Sequence, residues 1–289
     1  MQQLLIDDMF EPPNPDPFLV VLNYSGGVQS HAIARMMLRG EIETPERFLV
    51  VAADPGNEHV KSYEFRDRTF EEFAAAGIHA VVAPGPKMLD ELKEKKAAGV
   101  GRLDTPANFT EGGGQLMQCC TRHYKIRPIN RVVFAYLSHH YGIRRGIPSR
   151  SIERWIGFSA DETMRAGRIK DEDHRQQFRF PLIDLGMTKR SILEWYKRRN
   201  EPIPPRSVCN HCWANSPATF RRIRDTDPEG WKKAVEYDEL SRDLSQFGVK
   251  ETCFVSDRRI PLAELEKRGF QGHSEDGDLL SCDSGHCFI

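Results

Sequence analysis

Residues 18–30 read FLVVLNYSGGVQS, an apolar run that leads through two adjacent glycines into a polar stretch. The run from Phe18 to Leu22 is short and continuously apolar, which is typical of a strand buried on both faces of a parallel sheet. From Gln29 to Leu38 the apolar residues recur at helical spacing, and Gly40 marks the end of that pattern. The stretch therefore predicts a strand, a glycine turn and a helix in direct succession.

The same pattern recurs along the chain. Further strands are predicted over residues 47–53, 78–83 and 153–157, and helices over residues 63–73, 89–98, 124–141 and 189–199. Apolar strands that alternate with helices predict an α/β fold, an open parallel sheet with helices on both faces.

Three parts of the chain differ in composition. Residues 1–17 are rich in proline and predict an extended lead-in. Residues 18–214 carry the strand and helix pattern, and residues 215–289 predict a mainly helical carboxyl-terminal appendage with a cysteine-containing tail. The second half of residues 84–118, which includes three consecutive glycines, is expected to form a mobile loop.

The composition of the 289 residues excludes several classes of protein. A hydrophobic content of 39% with 29% charged residues is ordinary for a globular enzyme and too apolar for a disordered chain. The longest apolar run near the amino terminus is far shorter than the ~20 residues of a membrane helix, and the residues before it are acidic where a signal peptide is basic. These features predict a cytoplasmic protein that does not bind membranes. Because thiols stay reduced in that compartment, seven cysteines indicate metal binding or redox chemistry.

Charge is unevenly distributed along the chain. Between Cys119 and Lys250 there are 26 basic and 16 acidic residues, although the net charge of the whole chain is −1. The basic clusters in this part lie at residues 144–145, 197–199, 221–224 and 232–233. Each cluster alone is compatible with a solvated helix face, whereas the asymmetry as a whole favours a polyanionic partner such as a nucleic acid.

The glycine turn has the features of a phosphate site. It precedes the amino terminus of a helix, where unpaired backbone N–H groups and the positive end of the helix dipole favour an anion. Asp54 follows the next strand, at the edge where parallel sheets place ligand-facing acids. An ordinary tight turn is the alternative. The candidate nucleotide-binding residues are Ser25, Gly26, Gly27, Val28, Gln29, Ser30 and Asp54.

These motifs together resemble a known family. Ser-Gly-Gly-X-X-Ser after the first strand resembles the PP-loop of the ATP pyrophosphatases, whose fold is adenine nucleotide alpha hydrolase-like. Residues 54–58 (DPGNE) and 157–165 (GFSADETMR) are similar to segments of the phosphoadenylyl-sulfate (PAPS) reductase-like members. The resemblance covers roughly residues 18–225. It implies ATP and Mg²⁺ as cofactors, with Gly157 in the nucleotide site.

One position departs from the family pattern. Many adenylating members carry an aspartate at the fifth position of the loop, where this chain has Gln29. A neutral amide supplies no charge to Mg²⁺, so Asp54, Asp161 or Glu162 is the expected carboxylate ligand.

Four cysteines form a candidate metal centre. Cys119 and Cys120 are adjacent, and Cys209 and Cys212 form a Cys-X-X-Cys pair. Four thiolates suit a 4Fe-4S cluster or a structural zinc, and unligated thiols are the third possibility. The arrangement resembles the pairs that hold a 4Fe-4S cluster in adenylyl-sulfate reductases and in some thio-modification enzymes of the family.

The remaining cysteines and two histidines have separate interpretations. His123 and His211 lie near the cysteine pairs and are expected beside a metal centre or at the surface, and Cys253 is expected to be buried. The tail partly resembles the catalytic segment of sulfonucleotide reductases. Cys282 and Cys287 are therefore candidates for a redox or sulfur-carrying pair, with a frayed tail as the alternative.

The resemblance implies an ATP-dependent sulfur-insertion enzyme as the leading hypothesis. It would adenylate DNA for phosphorothioation or tRNA for thiolation, with a cysteine desulfurase or another sulfur donor as partner. A homodimer or a larger modification complex is also possible. The alternatives are a sulfonucleotide reductase and a non-catalytic iron–sulfur subunit that binds nucleotide. The candidate catalytic residues are Asp54, Lys125, Asp161, Glu162, Arg165, Cys282 and Cys287.

Overall fold

A computed structural model of the protein describes residues 14–99, 103, 107–169 and 173–271. The predicted tail cysteines Cys282 and Cys287, and most of the predicted lead-in, lie outside the described residues.

Five parallel strands form the central sheet, in the order β3-β2-β1-β5-β6. The strands of the described chain are β1 (Leu19–Asn23), β2 (Phe48–Ala53), β3 (His79–Ala83), β4 (Phe109–Thr110), β5 (Ile152–Trp155), β6 (Gln176–Arg179) and β7 (Cys253–Phe254). In the register, Val20 of β1 lies opposite Phe48, and Leu19 lies opposite Ile152.

The helices fall between these strands and after them. They are α1 (Val28–Leu38), α2 (Val60–Ala75), α3 (Met88–Ala98), α4 (Arg127–Tyr141), α5 (Thr163–Ala166), α6 (Pro181–Asp184), α7 (Lys189–Arg199), α8 (Pro217–Thr226), α9 (Pro228–Leu240) and α10 (Leu262–Lys267). A π-helical turn, Thr121–Ile126, leads directly into α4. None of the helices in the described part of the chain combines the length and apolarity needed to cross a bilayer.

Alternate side chains of β1 pack on opposite faces of the sheet. Val20 and Leu22 join a core cluster with α1 and α7, whereas Leu19 and Val21 join a second cluster with α4. Because both faces are covered, β1 is buried throughout. The predicted α/β fold, an open parallel sheet with helices on both faces, is confirmed.

Two strands differ from the sequence prediction. β6 was not predicted because its sequence, QQFR, has no apolar run; it lies at the edge of the sheet, beside β5. Part of the expected loop is β4, whose Phe109 pairs with Phe254 of β7 in antiparallel orientation. That pairing joins segments about 140 residues apart, which no local pattern indicates.

The helices α8, α9 and α10 make the described carboxyl-terminal residues 215–271 mainly helical, as predicted. They share a third core cluster with α3 and the Cys-X-X-Cys segment, and it contains Met88, Cys209, Phe220 and Trp231. The domain boundary at residue 214 stays a prediction, and buried side chains from both sides of it pack together.

Candidate nucleotide cavity and cysteine pocket

A cavity lies beyond the carboxyl ends of the central strands. The chain passes from β1 to β2 and β3 on one side of the sheet, and β5 and β6 lie on the other, so the strand order reverses beside β1. Open α/β sheets bind ligands in the crevice at this reversal. The cavity encloses about 1030 Å³ with its open mouth included. Its lining includes the predicted residues Ser25, Gly27, Val28, Gln29, Ser30, Lys125, Gly157, Glu162 and Arg165.

The hydroxyl groups of two serines stabilise the glycine turn. Ser30 Oγ accepts a hydrogen bond from the Ser25 backbone N–H at 3.1 Å and lies 2.9 Å from Ser25 Oγ. Gly26 has a φ of +76°, a left-handed conformation that favours glycine. Gly27 precedes α1 and makes no side-chain cap. The amides of the first turn of α1 can therefore face an anion in the cavity.

Gly157 allows the end of β5 to approach this turn. A Cβ atom at residue 157 would lie 2.7 Å from the Ser30 backbone N and 3.0 Å from its Cα. Those atoms belong to backbone in α1 and have little freedom to move. A glycine is therefore needed here, and it brings the two walls of the cavity together.

Glu162 is a buried carboxylate at this wall of the cavity, and it lies beside two cations. Its side chain is 5% exposed and accepts hydrogen bonds from Ser159, Gln29 and Arg165, with Lys189 Nζ at 3.6 Å. Burial alone would raise the pKa of Glu162, but the Ser159 hydrogen bond and the charges of Arg165 and Lys189 hold that pKa below its usual value. The side chain is thus an anion beside Gln29.

The other two candidate acids do not line the cavity. Asp54 Oδ1 accepts hydrogen bonds from the Gly56 backbone N–H and the Tyr63 hydroxyl, both at 2.9 Å, and Oδ2 accepts one from Lys87 Nζ at 2.6 Å. Asp161 is exposed and accepts a hydrogen bond from the Lys189 backbone N–H. Metal-binding or catalytic roles for these two residues stay predictions.

Several lining residues were not identified from the sequence. Lys189 and Arg206 add two cations, and Ser207 Oγ donates to the backbone carbonyl of Ser25. Glu58 is buried, and burial raises its pKa to about 6, although Lys125 at 4.0 Å acts in the opposite direction. Glu58 belongs to the DPGNE segment, so that motif could have identified it as a candidate site residue. No local pattern could have identified Ser207, because its contact joins residues 182 positions apart.

A second, smaller pocket adjoins the cavity. Its lining includes Cys120, Cys209 and Cys212, together with His211 and Lys125. Lys125 lines the nucleotide cavity as well. The two spaces therefore share a wall.

Backbone contacts fix that wall. Glu58 and Cys209 form an isolated antiparallel bridge, and the Asn210 N–H donates to the Asn57 carbonyl at 2.7 Å. Since Ser207 contacts the glycine turn, residues 207–212 run from the nucleotide cavity to the cysteine pocket.

The structure brings three of the four predicted ligands into one pocket. Cys119, the fourth, is half-buried and is not among the pocket-lining residues. Soft thiolates in a mostly apolar pocket fit a thiophilic metal or cluster. Within the described ranges, no three His, Cys, Asp or Glu side chains are grouped closely enough to hold a metal ion. Cys253 is buried as predicted and lies in β7, outside the pocket lining.

No protein-family model matches the chain, and no curated protein matches it in sequence. Among solved structures, the chain is similar to the U34-tRNA thiolase NcsA from Methanococcus maripaludis with its 4Fe-4S cluster, at 11% sequence identity and a TM-score of 0.39. The match covers 93% of this chain and 88% of that chain. Similarity at this level establishes neither a shared fold nor a shared activity.

Proposed function

We propose that the chain is an ATP-dependent sulfur-insertion enzyme that adenylates a nucleic-acid substrate and then transfers sulfur to it. Lys125 carries the proposal, because it lines both the cavity suited to a nucleotide and the pocket that contains three thiols. A reaction that joins an activated oxygen to a sulfur nucleophile needs these two sites side by side.

The nucleotide half of the proposal depends on charge. Among the described residues that line the cavity, the cations are Lys125, Arg165, Lys189 and Arg206, and the anions are Glu58 and Glu162. Cations beside a helix amino terminus stabilise a triphosphate and the charge that develops on pyrophosphate as it leaves. Glu162 is the carboxylate best placed for Mg²⁺, because it alone of the three candidate acids lines the cavity.

The proposed reaction has three displacements. A substrate oxygen attacks the α-phosphorus of ATP, and the bond to pyrophosphate breaks. The outer sulfur of a persulfide, supplied by a desulfurase, then attacks the activated atom, and AMP leaves with the oxygen. A second thiol attacks the inner sulfur of the resulting substrate disulfide, so that the S–S bond breaks, the thiolated product leaves and the two carrier thiols end as a disulfide.

A 4Fe-4S cluster would be held by Cys120, Cys209 and Cys212, with Cys119 as the fourth candidate, and when bound it would hold or relay the sulfur. The three thiols of the pocket are soft ligands that suit the irons of such a cluster, and a structural zinc is the alternative.

The test supplies reduced, iron-loaded protein with labelled ATP and candidate DNA or tRNA, and in parallel with adenylyl sulfate. We expect pyrophosphate release that depends on nucleic acid, and no consumption of adenylyl sulfate. Release of sulfite and AMP from adenylyl sulfate would instead identify a sulfonucleotide reductase. Nucleotide binding without turnover under any sulfur donor would identify a non-catalytic subunit.

A further inference from the structure

His211 lies between the two cysteines of the Cys-X-X-Cys turn and is 1% exposed. Its ring stacks on Tyr237, with the ring centroids 4.1 Å apart and the planes inclined by 22°. The ring is therefore fixed in position at the wall of the cysteine pocket, which it helps to line.

Contacts at Nδ1 determine where the imidazole carries its proton. Asn57 Nδ2 lies 3.1 Å from Nδ1 and also donates to the Gly230 carbonyl, while Asn57 Oδ1 accepts from Asn210. This amide orientation makes Nδ1 an acceptor. An imidazole whose Nδ1 accepts a hydrogen bond is neutral and carries its proton on Nε2.

The Nε2–H group is buried and has no hydrogen-bond partner among the described residues. A buried donor without an acceptor is costly, and such groups mark sites where a further atom binds. Asn57, which holds the Nδ1 edge, is not among the pocket-lining residues. Nε2 is therefore the ring nitrogen that is left to contact an occupant of the pocket that His211 lines with the three thiols.

We propose that His211 is a positioning residue whose Nε2–H donates a hydrogen bond to a sulfur atom of the cluster in this pocket. The inference rests on the cluster of the proposed function. A hydrogen bond to a cluster sulfur stabilises the more negatively charged, reduced state and so raises the reduction potential. His211 would thereby set the potential without binding iron.

The experiment compares wild-type protein with His211→Phe and His211→Gln, all reconstituted with iron and sulfide. Phenylalanine keeps an aromatic ring beside Tyr237 and removes the donor, whereas glutamine keeps a donor. We expect equal iron content in the three proteins, a more negative reduction potential in His211→Phe, and partial recovery in His211→Gln. A potential titration followed by electron paramagnetic resonance measures the shift.

A measurement on wild-type protein tests the same hydrogen bond in case a variant does not fold. With ¹⁵N-labelled histidine, pulsed resonance of the reduced cluster should show an exchangeable proton and only weak nitrogen coupling. Strong nitrogen coupling that is absent from His211→Phe would make His211 an iron ligand and overturn the inference. Equal potentials in iron-loaded wild-type and His211→Phe proteins would also overturn it, with the proposed function intact. Wild-type protein that takes up no iron would overturn the cluster and this inference together.

Discussion

The nucleotide cavity and the cysteine pocket share a wall but are built differently. The cavity is formed where regular elements end, with the glycine turn between β1 and α1 on one side and Gly157 after β5 on the other. The pocket is formed by a π-helical turn and an irregular segment around Cys209, packed on the carboxyl-terminal core. Strand ends are placed by the sheet, whereas the pocket depends on contacts between distant segments.

The two regions also differ in the chemistry of their side chains. In the cavity, Glu162 pairs with Arg165 and Lys189. The pocket is lined by three thiols, and Lys125 is the one cationic side chain among the described residues that line it. Paired charges therefore characterise the cavity, whereas soft ligand atoms characterise the pocket.

The largest expected effect is the loss of iron when a pocket thiol is removed. Cys212→Ser should lose most of the iron and the visible absorption of anaerobically reconstituted protein, because a hydroxyl is a poor ligand for soft iron. Cys253→Ser is the matched control, since Cys253 is also buried but lies in β7. Metal analysis that finds zinc and no iron in wild-type protein would refute the cluster, as would equal iron loss in both variants.

The next effect concerns the stability of the cavity wall. Glu162→Gln should lower the free energy of unfolding by about 3 kcal/mol, because it leaves two largely buried cations without their shared anion. The exposed Glu194→Gln, which breaks an ion pair with Arg190, should change it by less than about 0.5 kcal/mol. Urea denaturation measures both values, and similar losses would show that burial of Glu162 has no special effect.

The same carboxylate predicts a pH dependence. The folded-state pKa of Glu162 lies below its usual value of 4.5, so its contribution to stability is present above pH 4.5 and is lost as the pH falls through the folded-state pKa. Wild-type protein should therefore lose more stability on acidification than Glu162→Gln. Parallel urea curves down to pH 3 test this, and equal acid sensitivity would contradict it.

A smaller effect is expected at the close approach of β5. Gly157→Ala should weaken ATP binding about tenfold, or about 1.4 kcal/mol, because its Cβ displaces the backbone at Ser30. Gly167→Ala is the control, since a Cβ there meets its nearest atom at 3.7 Å and the φ of −66° suits alanine. Calorimetric titration with ATP distinguishes them, and unchanged affinity in Gly157→Ala would place the nucleotide elsewhere.

The smallest effect locates the nucleic acid. Arg206 lines the cavity at the carboxyl ends of the strands. Arg145 lines a groove before the amino-terminal ends of β5 and β6. Arg206→Gln should reduce the slope of log affinity against log salt by about 1, as expected for one lost phosphate contact, and Arg145→Gln should leave it unchanged. The reverse result would move the binding face to the amino ends of the strands.

Local sequence predicted most of the cavity. The run at residues 18–30 required a buried strand, a turn with left-handed backbone and a helix, and each of these depends on neighbouring residues only. Gly157, Glu162 and Arg165 were identified through their motif and line the cavity. Asp54 was identified in the same way, but its carboxylate accepts a hydrogen bond from Lys87, 33 residues away, and does not line the cavity.

The sequence by itself determined the alternation of strands and helices, the glycine turn between the first strand and the first helix, and the soft-ligand chemistry of the cysteine pairs, since periodicity and residue type are local properties. Only the tertiary structure decided that Ser207 supports the glycine turn, that Lys125 lines both spaces and that His211 lines the cysteine pocket beside three thiols. These relations depend on which distant segments pack together, and packing is set by the shape and burial of the whole core.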